Sequence, residues 1–305
     1  MLASTQAAPS GEQFELAFGD QHVVVVEVGG GLRSYDVAGR ALLDGYEVDA
    51  MAGDGRGQVL IPWPNRIEDG TYEFAGSQHT LALTEPSARN AIHGLVRWQA
   101  WSVADRAPDR VVLEHTLHPQ PGYPFTLDLA LEYVLSSDGL RVTTTATNAG
   151  VASCPYGSGC HPYLTLGTET VNPLTLRAPG GTVLHVNERG IPVSSAPVEG
   201  EFDFREPRTI GTAKLDHAFT DLERGDDGLA RIELDDPESG RGVTVWLDES
   251  HAFVQLFTGD PLPGVNRRSI AVEPTTCAPN AFRTGSVETL APGGTATSTW
   301  GIEPR

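Results

Sequence analysis

Between residues 127 and 135 the apolar side chains fall on every second position. Leu127, Leu129, Leu131, Tyr133 and Leu135 alternate with Asp128, Ala130, Glu132 and Val134. A period of two belongs to a pleated strand with one buried face, because successive side chains leave opposite faces. A second such run covers residues 140–148, and Ser136-Ser137-Asp138-Gly139 between the two carries the Asp-Gly signal of a hairpin. The β-branched run from Gln21 to Glu27 stops at Gly29-Gly30-Gly31. Further strands are expected at residues 98–103, 110–117, 182–186, 230–234, 242–247, 253–257, 269–272 and 295–302. With 34 glycines and 22 prolines, almost every window is broken, and no long stretch carries a clean helical period with caps. The pattern predicts an all-β chain: one large antiparallel β-sandwich over residues 12–305, behind a loose leader at 1–11.

Charge narrows the partners. Forty acidic against 21 basic side chains give the 305 residues a formal charge of −19. A surface of that sign repels nucleic acid and anionic membranes, so neither is expected as a partner. It also leans against a strongly anionic substrate unless local arginines override the global field. Lys214 is the only lysine, so any Schiff-base chemistry would rest on that residue. The three cysteines, Cys154, Cys160 and Cys277, lack zinc or redox spacing and suit a reducing compartment. Residues 1–13 show no secretory pattern, and no run approaches the ~18 apolar residues of a membrane span. A soluble, cytoplasmic protein is expected, as monomer or homodimer.

Several familiar motifs fail on spacing. Gly29-Gly30-Gly31-Leu32-Arg33-Ser34 ends in serine with no helix after it, which is not a dinucleotide fingerprint. Gly53-Asp54-Gly55-Arg56-Gly57 lacks the Lys-Ser/Thr of a P-loop, and Gly157-Ser158-Gly159 lacks nucleophile-elbow spacing. His115 and His118 are expected on opposite sides of a strand, which rejects them as a metal pair. No metal site is expected.

Polar side chains in breaker-rich settings remain. Asn65 and Arg66 follow Pro62-Trp63-Pro64, His93 precedes Gly94, and His161 is held extended before Pro162. Asp216 stands in an apolar stretch, and Glu273-Pro274 ends an apolar strand. Taken in order, these segments resemble the aldose 1-epimerase (galactose mutarotase) family over residues 12–302. Asn90-Ala91-Ile92-His93-Gly94 and Gly159-Cys160-His161-Pro162-Tyr163 are its most specific parts. Pro62-Trp63-Pro64 departs from the lead-in common in galactose mutarotases.

The resemblance implies the galactose mutarotase-like sandwich and interconversion of the α and β anomers of a hexose such as galactose or glucose. Ring opening takes a proton from the C1 hydroxyl and gives one to the ring oxygen, so it needs an acid, a base and no cofactor. By resemblance Glu273 is the base and His161 the acid, with His93 near the ring oxygen. Asp216, Arg66 and, with less support, Asn65 hold the sugar hydroxyls. Read alone, Arg66 could instead pair with Glu68 and Asp216 with Lys214. Trp63 is a candidate stacking platform for the sugar, and His217 is expected to be structural. Two alternatives stay open: a hexose 6-phosphate substrate, with Arg89 and Arg97 flanking His93, and a non-catalytic sugar-binding domain on the same sandwich.

Overall fold

The structure, a computed structural model, describes residues 8–260, 262 and 266–305. Two large sheets carry the chain, and the pairings that build them are antiparallel. The nine-stranded sheet runs Ser102–Ala107, Arg110–Leu117, Leu127–Ser136, Gly139–Asn148, Thr295–Pro304, Arg241–Leu247, Ala230–Asp236, Thr175–Arg177, Arg208–Thr209. The eight-stranded sheet runs Pro192–Pro197, Gly180–Val186, Asp216–Leu222, Phe253–Phe257, Ile270–Thr275, Gly159–Cys160, Val59–Leu60, with Tyr163–Leu164 also paired to Ile270–Thr275. A four-stranded sheet over Gln13–Ala41 joins them. Helix is confined, among the described residues, to Ala281–Thr284 and a single 3₁₀ turn at Gly200–Phe202.

The alternating runs face inward as expected. Leu129, Leu131, Val142, Val243, Val245 and Trp300 of one large sheet share a continuous apolar core with Val183, Phe219, Val254, Leu256, Ile270 and Val272 of the other. Each fully buried aliphatic side chain contributes about 1.5–3 kcal/mol of transfer free energy, so burial rather than local propensity fixes the register. The three cysteines are free and buried. Of the expected leader, residues 1–7 lie outside the described residues. Of the rest, Ser10 is buried, and its carbonyl accepts the Val28 N–H at 2.9 Å.

The expected hairpin is present: Ser136 pairs with Gly139 across Ser137-Asp138, and Gly139 takes a positive φ, 104°. A Cβ there would lie 2.2 Å from the Ile302 carbonyl oxygen. Three local expectations are corrected. The strand expected at 98–103 begins only at Ser102, because residues 97–100 turn, with the Gln99 N–H bonded to the Val96 carbonyl. The strand carrying Glu273 does not end there but runs on to Thr275, buried throughout. His115 and His118 line one groove together, since the strand stops at Leu117 and frees His118 from the alternation.

Candidate active site

The strands Phe253–Phe257 and Ile270–Thr275 are buried on both faces. Val254, Leu256, Ile270 and Val272 point into the core, so the alternation turns Gln255 and Glu273 to the other side, where they stand directly opposite each other. On that side lies a cavity of about 390 Å³, whose lining includes Asn65, Arg66, His93, His161, Asp216 and Glu273. The structure thus brings together all six residues singled out in the sequence, from segments spread over two hundred positions.

His161 is fixed at both ends. Its N–H donates to the Gln58 carbonyl at 3.1 Å, and its carbonyl accepts the Gly57 N–H at 2.9 Å. The ring stacks on Tyr163, with centroids 4.9 Å apart and planes 17° off parallel. Gly55, at φ 80°, closes its edge: a Cβ there would lie 2.8 Å from His161 Cδ2. Its Nε2 is 3.3 Å from Glu273 Oε1, while His161 Nδ1 and Glu273 Oε2 are buried without a hydrogen-bond partner among the described residues.

Burial sets the charge state of this pair. Desolvation pushes the His161 imidazolium down to about 3, with the Arg97, Arg56 and Arg66 guanidiniums adding to the effect. Desolvation pushes the Glu273 carboxyl well above the usual range; Asp216 adds to this and Arg66 opposes it. Burial therefore favours the uncharged form of each group, despite their short contact.

His93 sits at φ 61°, just past the strand Asn90–Ile92. Asn65, also left-handed at φ 54°, grips it twice: the His93 N–H donates to the Asn65 carbonyl at 2.8 Å, and the Asn65 N–H donates to His93 Nδ1 at 3.1 Å. Since Nδ1 accepts, the neutral ring carries its proton on Nε2. Burial and the neighbouring His161, Arg97 and Arg66 hold its pKa well below the ordinary value. His93, His161 and Glu273 also place three ligand-type atoms within 4.8 Å of one another. His93 is a poor metal ligand there, because its free nitrogen bears a hydrogen and not a lone pair.

Arg66 pairs with Glu85 and not Glu68: Nε reaches Oε2 at 2.9 Å and Nη2 reaches Oε1 at 3.1 Å. Its Nη1 is 4.0 Å from Asp216 Oδ2. Asp216 accepts from Gln255 Nε2 at 2.7 Å. Its backbone N–H donates to Nδ1 of the neighbouring His217.

Trp63 is not at the site. It is 2% exposed and packs edge-on against Phe282, with centroids 5.6 Å apart. The tryptophan at the cavity mouth is Trp98, 49% exposed. Tyr163, Gln255 and Glu85 were missed in the sequence. Tyr163 stood inside a quoted motif, whereas nothing local marked the other two.

The candidate site is thus a buried His–Glu contact ringed by hydrogen-bonding side chains, on the side of the sheet facing away from the core. Residues 12–303 match the aldose 1-epimerase family, and the chain belongs to it. The uncharacterized protein YihR of Escherichia coli K12 is 34% identical over 278 residues, covering 90% of this chain and 87% of that protein. A GalM/aldose epimerase homologue from C. elegans superposes with TM-score 0.86 at 18% identity, over 96% of this chain and 98% of that one. The galactose 1-epimerase of Lactobacillus acidophilus NCFM superposes with TM-score 0.78 at 21% identity, over 94% and 92%. The fold is thus that of galactose mutarotase-like proteins. Among the described residues no helix is long and apolar enough to cross a membrane.

Proposed function

We propose that this protein is an aldose 1-epimerase that interconverts the α and β anomers of a hexopyranose by acid–base ring opening and closure. The observation that carries the reading is the buried contact between His161 Nε2 and Glu273 Oε1. A binding module has no use for a desolvated acid–base pair, which costs stability without adding specificity for hydroxyls.

The pair's single proton serves both halves of the reaction. To open the ring, the Glu273 carboxylate takes the C1 hydroxyl proton and the His161 imidazolium protonates the ring oxygen. The C1–O5 bond breaks and the aldehyde forms. The pair is then carboxylic acid and imidazole, the charge state that burial favours. After rotation about C1–C2, Glu273 returns its proton to the carbonyl oxygen while His161 takes the C5 hydroxyl proton, and the ring closes on the other face. The charge-separated form needed to start contains the same proton on the other partner, so moving it across the 3.3 Å contact interconverts the two. His93 donates from Nε2 toward the ring-oxygen side. Asp216, held by Gln255, and Arg66, held by Glu85, bind hydroxyls; Asn65 acts mainly through its backbone, fixing His93.

Polarimetry of freshly dissolved α-glucose and α-galactose tests the reading. Wild type accelerates the approach to equilibrium, and Glu273→Gln and His161→Gln lose about 10²–10⁴-fold, the usual worth of an acid–base group. Undiminished turnover by both variants would overturn it.

A further inference from the structure

We propose that Arg189 is a positioning residue for sugar binding, which clamps the loop at residues 187–191 onto the site so that Gly190 holds the Arg66 guanidinium in place. The inference rests on the epimerase reading and concerns the same cavity. Arg66 directs two of its three nitrogens, Nε and Nη2, at Glu85. The third, Nη1, has no hydrogen-bond partner among the described residues and stands 4.0 Å from Asp216 Oδ2; both residues line the cavity. It is the donor left for a ligand, and its aim depends on what backs the guanidinium. Gly190 does so. At φ 72° it comes so close that a Cβ would lie 2.6 Å from Arg66 Nη1, 2.8 Å from Cζ and 3.0 Å from Nε. Gly190 belongs to the loop joining Gly180–Val186 to Pro192–Pro197, the hairpin at one edge of the eight-stranded sheet. Asn187 makes that loop one tight turn. Its side-chain oxygen accepts the Arg189 and Ile191 N–H groups at 2.9 and 3.1 Å, and its carbonyl accepts the Gly190 N–H at 2.9 Å.

Arg189 ties this turn to the segment between Arg66 and Asn90, 100–121 residues away in sequence. Its Nε donates to the Ala88 carbonyl at 2.8 Å and Nη1 to Glu68 Oε1 at 3.2 Å. Nη2 donates to Asp69 Oδ1 at 3.0 Å and to the Arg89 carbonyl at 3.1 Å. Asn90, fully buried, joins the same two segments from the other side. One amide hydrogen goes to the Arg189 carbonyl at 2.9 Å. The other goes at 2.8 Å to Glu85 Oε2, the oxygen that also accepts Arg66 Nε. The guanidinium is therefore set from two directions, by Glu85 and by Gly190, and the Arg189–Asn90 contact holds both. Arg189, Asn90 and Gly190 do not line the cavity, so they act on a sugar only through Arg66. Partly exposed ion pairs such as those to Glu68 and Asp69 are worth little as stability. What the fork contributes is placement, because all three of its nitrogens are bound at once, which a lysine cannot reproduce.

Two measurements test this. Calorimetry with the 1-deoxy pyranose analogues of glucose and galactose, which lack the C1 hydroxyl and cannot open, reads placement apart from turnover. Polarimetry of the free sugars reads KM and kcat. Arg66→Met weakens binding about tenfold to hundredfold, the usual worth of hydrogen bonds to a charged group. Arg189→Met weakens it about three- to tenfold, raises KM to match and leaves kcat within about twofold. Arg189→Lys, which keeps the charge and loses the fork, falls between that variant and wild type. Gly190→Ala weakens binding at least as much as Arg189→Met, whereas Gly76→Ala, at φ 76° with nothing within 4 Å, does not. The decisive readout is coupling: in the Arg66→Met background Arg189→Met has no further effect on affinity or KM, because no guanidinium is left to place. Near-ultraviolet circular dichroism confirms the fold of every variant. Full additivity of the two substitutions, or affinity and KM unchanged in both Arg189→Met and Gly190→Ala, overturns the proposal. The expected affinity changes without anomer exchange by wild type would instead overturn the epimerase reading and leave the positioning role standing.

Discussion

Replacing Glu273 by Gln keeps the side chain's volume and removes its ability to titrate, so its effect on stability isolates what burial of the carboxyl costs. In the unfolded chain Glu273 titrates near 4.5 and His161 near 6.5. In the folded protein the carboxyl is raised and the imidazole lowered to about 3. Between pH 4.5 and 6.5 each state therefore holds one proton on the two groups, and the wild-type pair contributes no slope. Above 6.5 the unfolded pair has lost its last proton while folded Glu273 still holds one, so stability falls as pH rises toward the folded group's own titration. Below 4.5 the unfolded pair holds two protons and the folded pair one, so stability falls again.

In Glu273→Gln only the histidine remains. The variant is flat above pH 6.5 and loses stability below it. The difference, variant minus wild type, should therefore climb from pH 4.5 upward, at a limiting slope of about 1.4 kcal/mol per pH unit, the free energy of one proton, and level off where folded Glu273 itself titrates. For a domain of this size that is roughly 2 °C in Tm per unit. Thermal melts of both proteins at half-unit intervals from pH 5 to 8.5 read it directly. Parallel curves would refute the reasoning, because they would mean that folded Glu273 titrates like a free carboxyl.

Three further outcomes follow from the same geometry. Gly55→Ala forces a Cβ to 2.8 Å from His161 Cδ2 and should cut kcat by about 10²-fold, whereas Gly76→Ala, at a similar φ of 76° with nothing within 4 Å, should leave kcat unchanged. Equal kcat for the two variants in the polarimetric assay would show that the ring's edge contact is unimportant. Gln255→Leu frees the Asp216 carboxylate from its 2.7 Å bond and should raise KM about tenfold with a smaller change in kcat; an unaltered KM would remove Gln255 as a positioning residue. Because burial raises the Glu273 carboxyl and lowers the His161 imidazole, the plateau of kcat/KM should extend beyond both free values, instead of tracing a narrow bell between those of Glu and His; a maximum confined to that narrow interval would show the two groups titrating as free side chains.

What was legible in the sequence tracks how much of the signal is local. Leu127–Ser136 and Gly139–Asn148 announce themselves because one face of each is buried and the other half-exposed, which imprints a period of two. Ile270–Thr275 is buried on both faces, so nothing alternates to mark its end, and Glu273 reads as a terminus when it is mid-strand. Trp63, the candidate stacking platform, lies buried away from the cavity for a related reason. A tryptophan's neighbours in sequence do not reveal whether a distant ring, here Phe282, will cover it. The candidate site was legible through backbone punctuation, since glycine after His93 and proline after His161 and Glu273 mark unusual chain paths. The partners that set each role are long-range: Glu85 for Arg66, Gln255 for Asp216 and the His161–Glu273 contact itself.

The buried polar atoms without partners show what the fold gives up to hold these groups. Seven such side-chain atoms occur among the described residues, and three of them, His161 Nδ1, Glu273 Oε2 and Gln255 Oε1, fall at or beside the cavity, on His161, Glu273 and the residue paired with Glu273. Each costs about 1–3 kcal/mol where it stays unsatisfied. A core selected for stability alone would spread or eliminate such atoms, as the aliphatic faces of the neighbouring strands do. Their concentration opposite Asp216 and Arg66 means that a ligand rich in hydroxyls recovers several hydrogen bonds at once, so its binding should couple to stability more strongly than its size alone implies. In the proposed mechanism the readiness of the acid–base pair and the binding of a polyhydroxylated ligand thus have one cause, the burial of polar atoms on the side of the sheet facing away from the core.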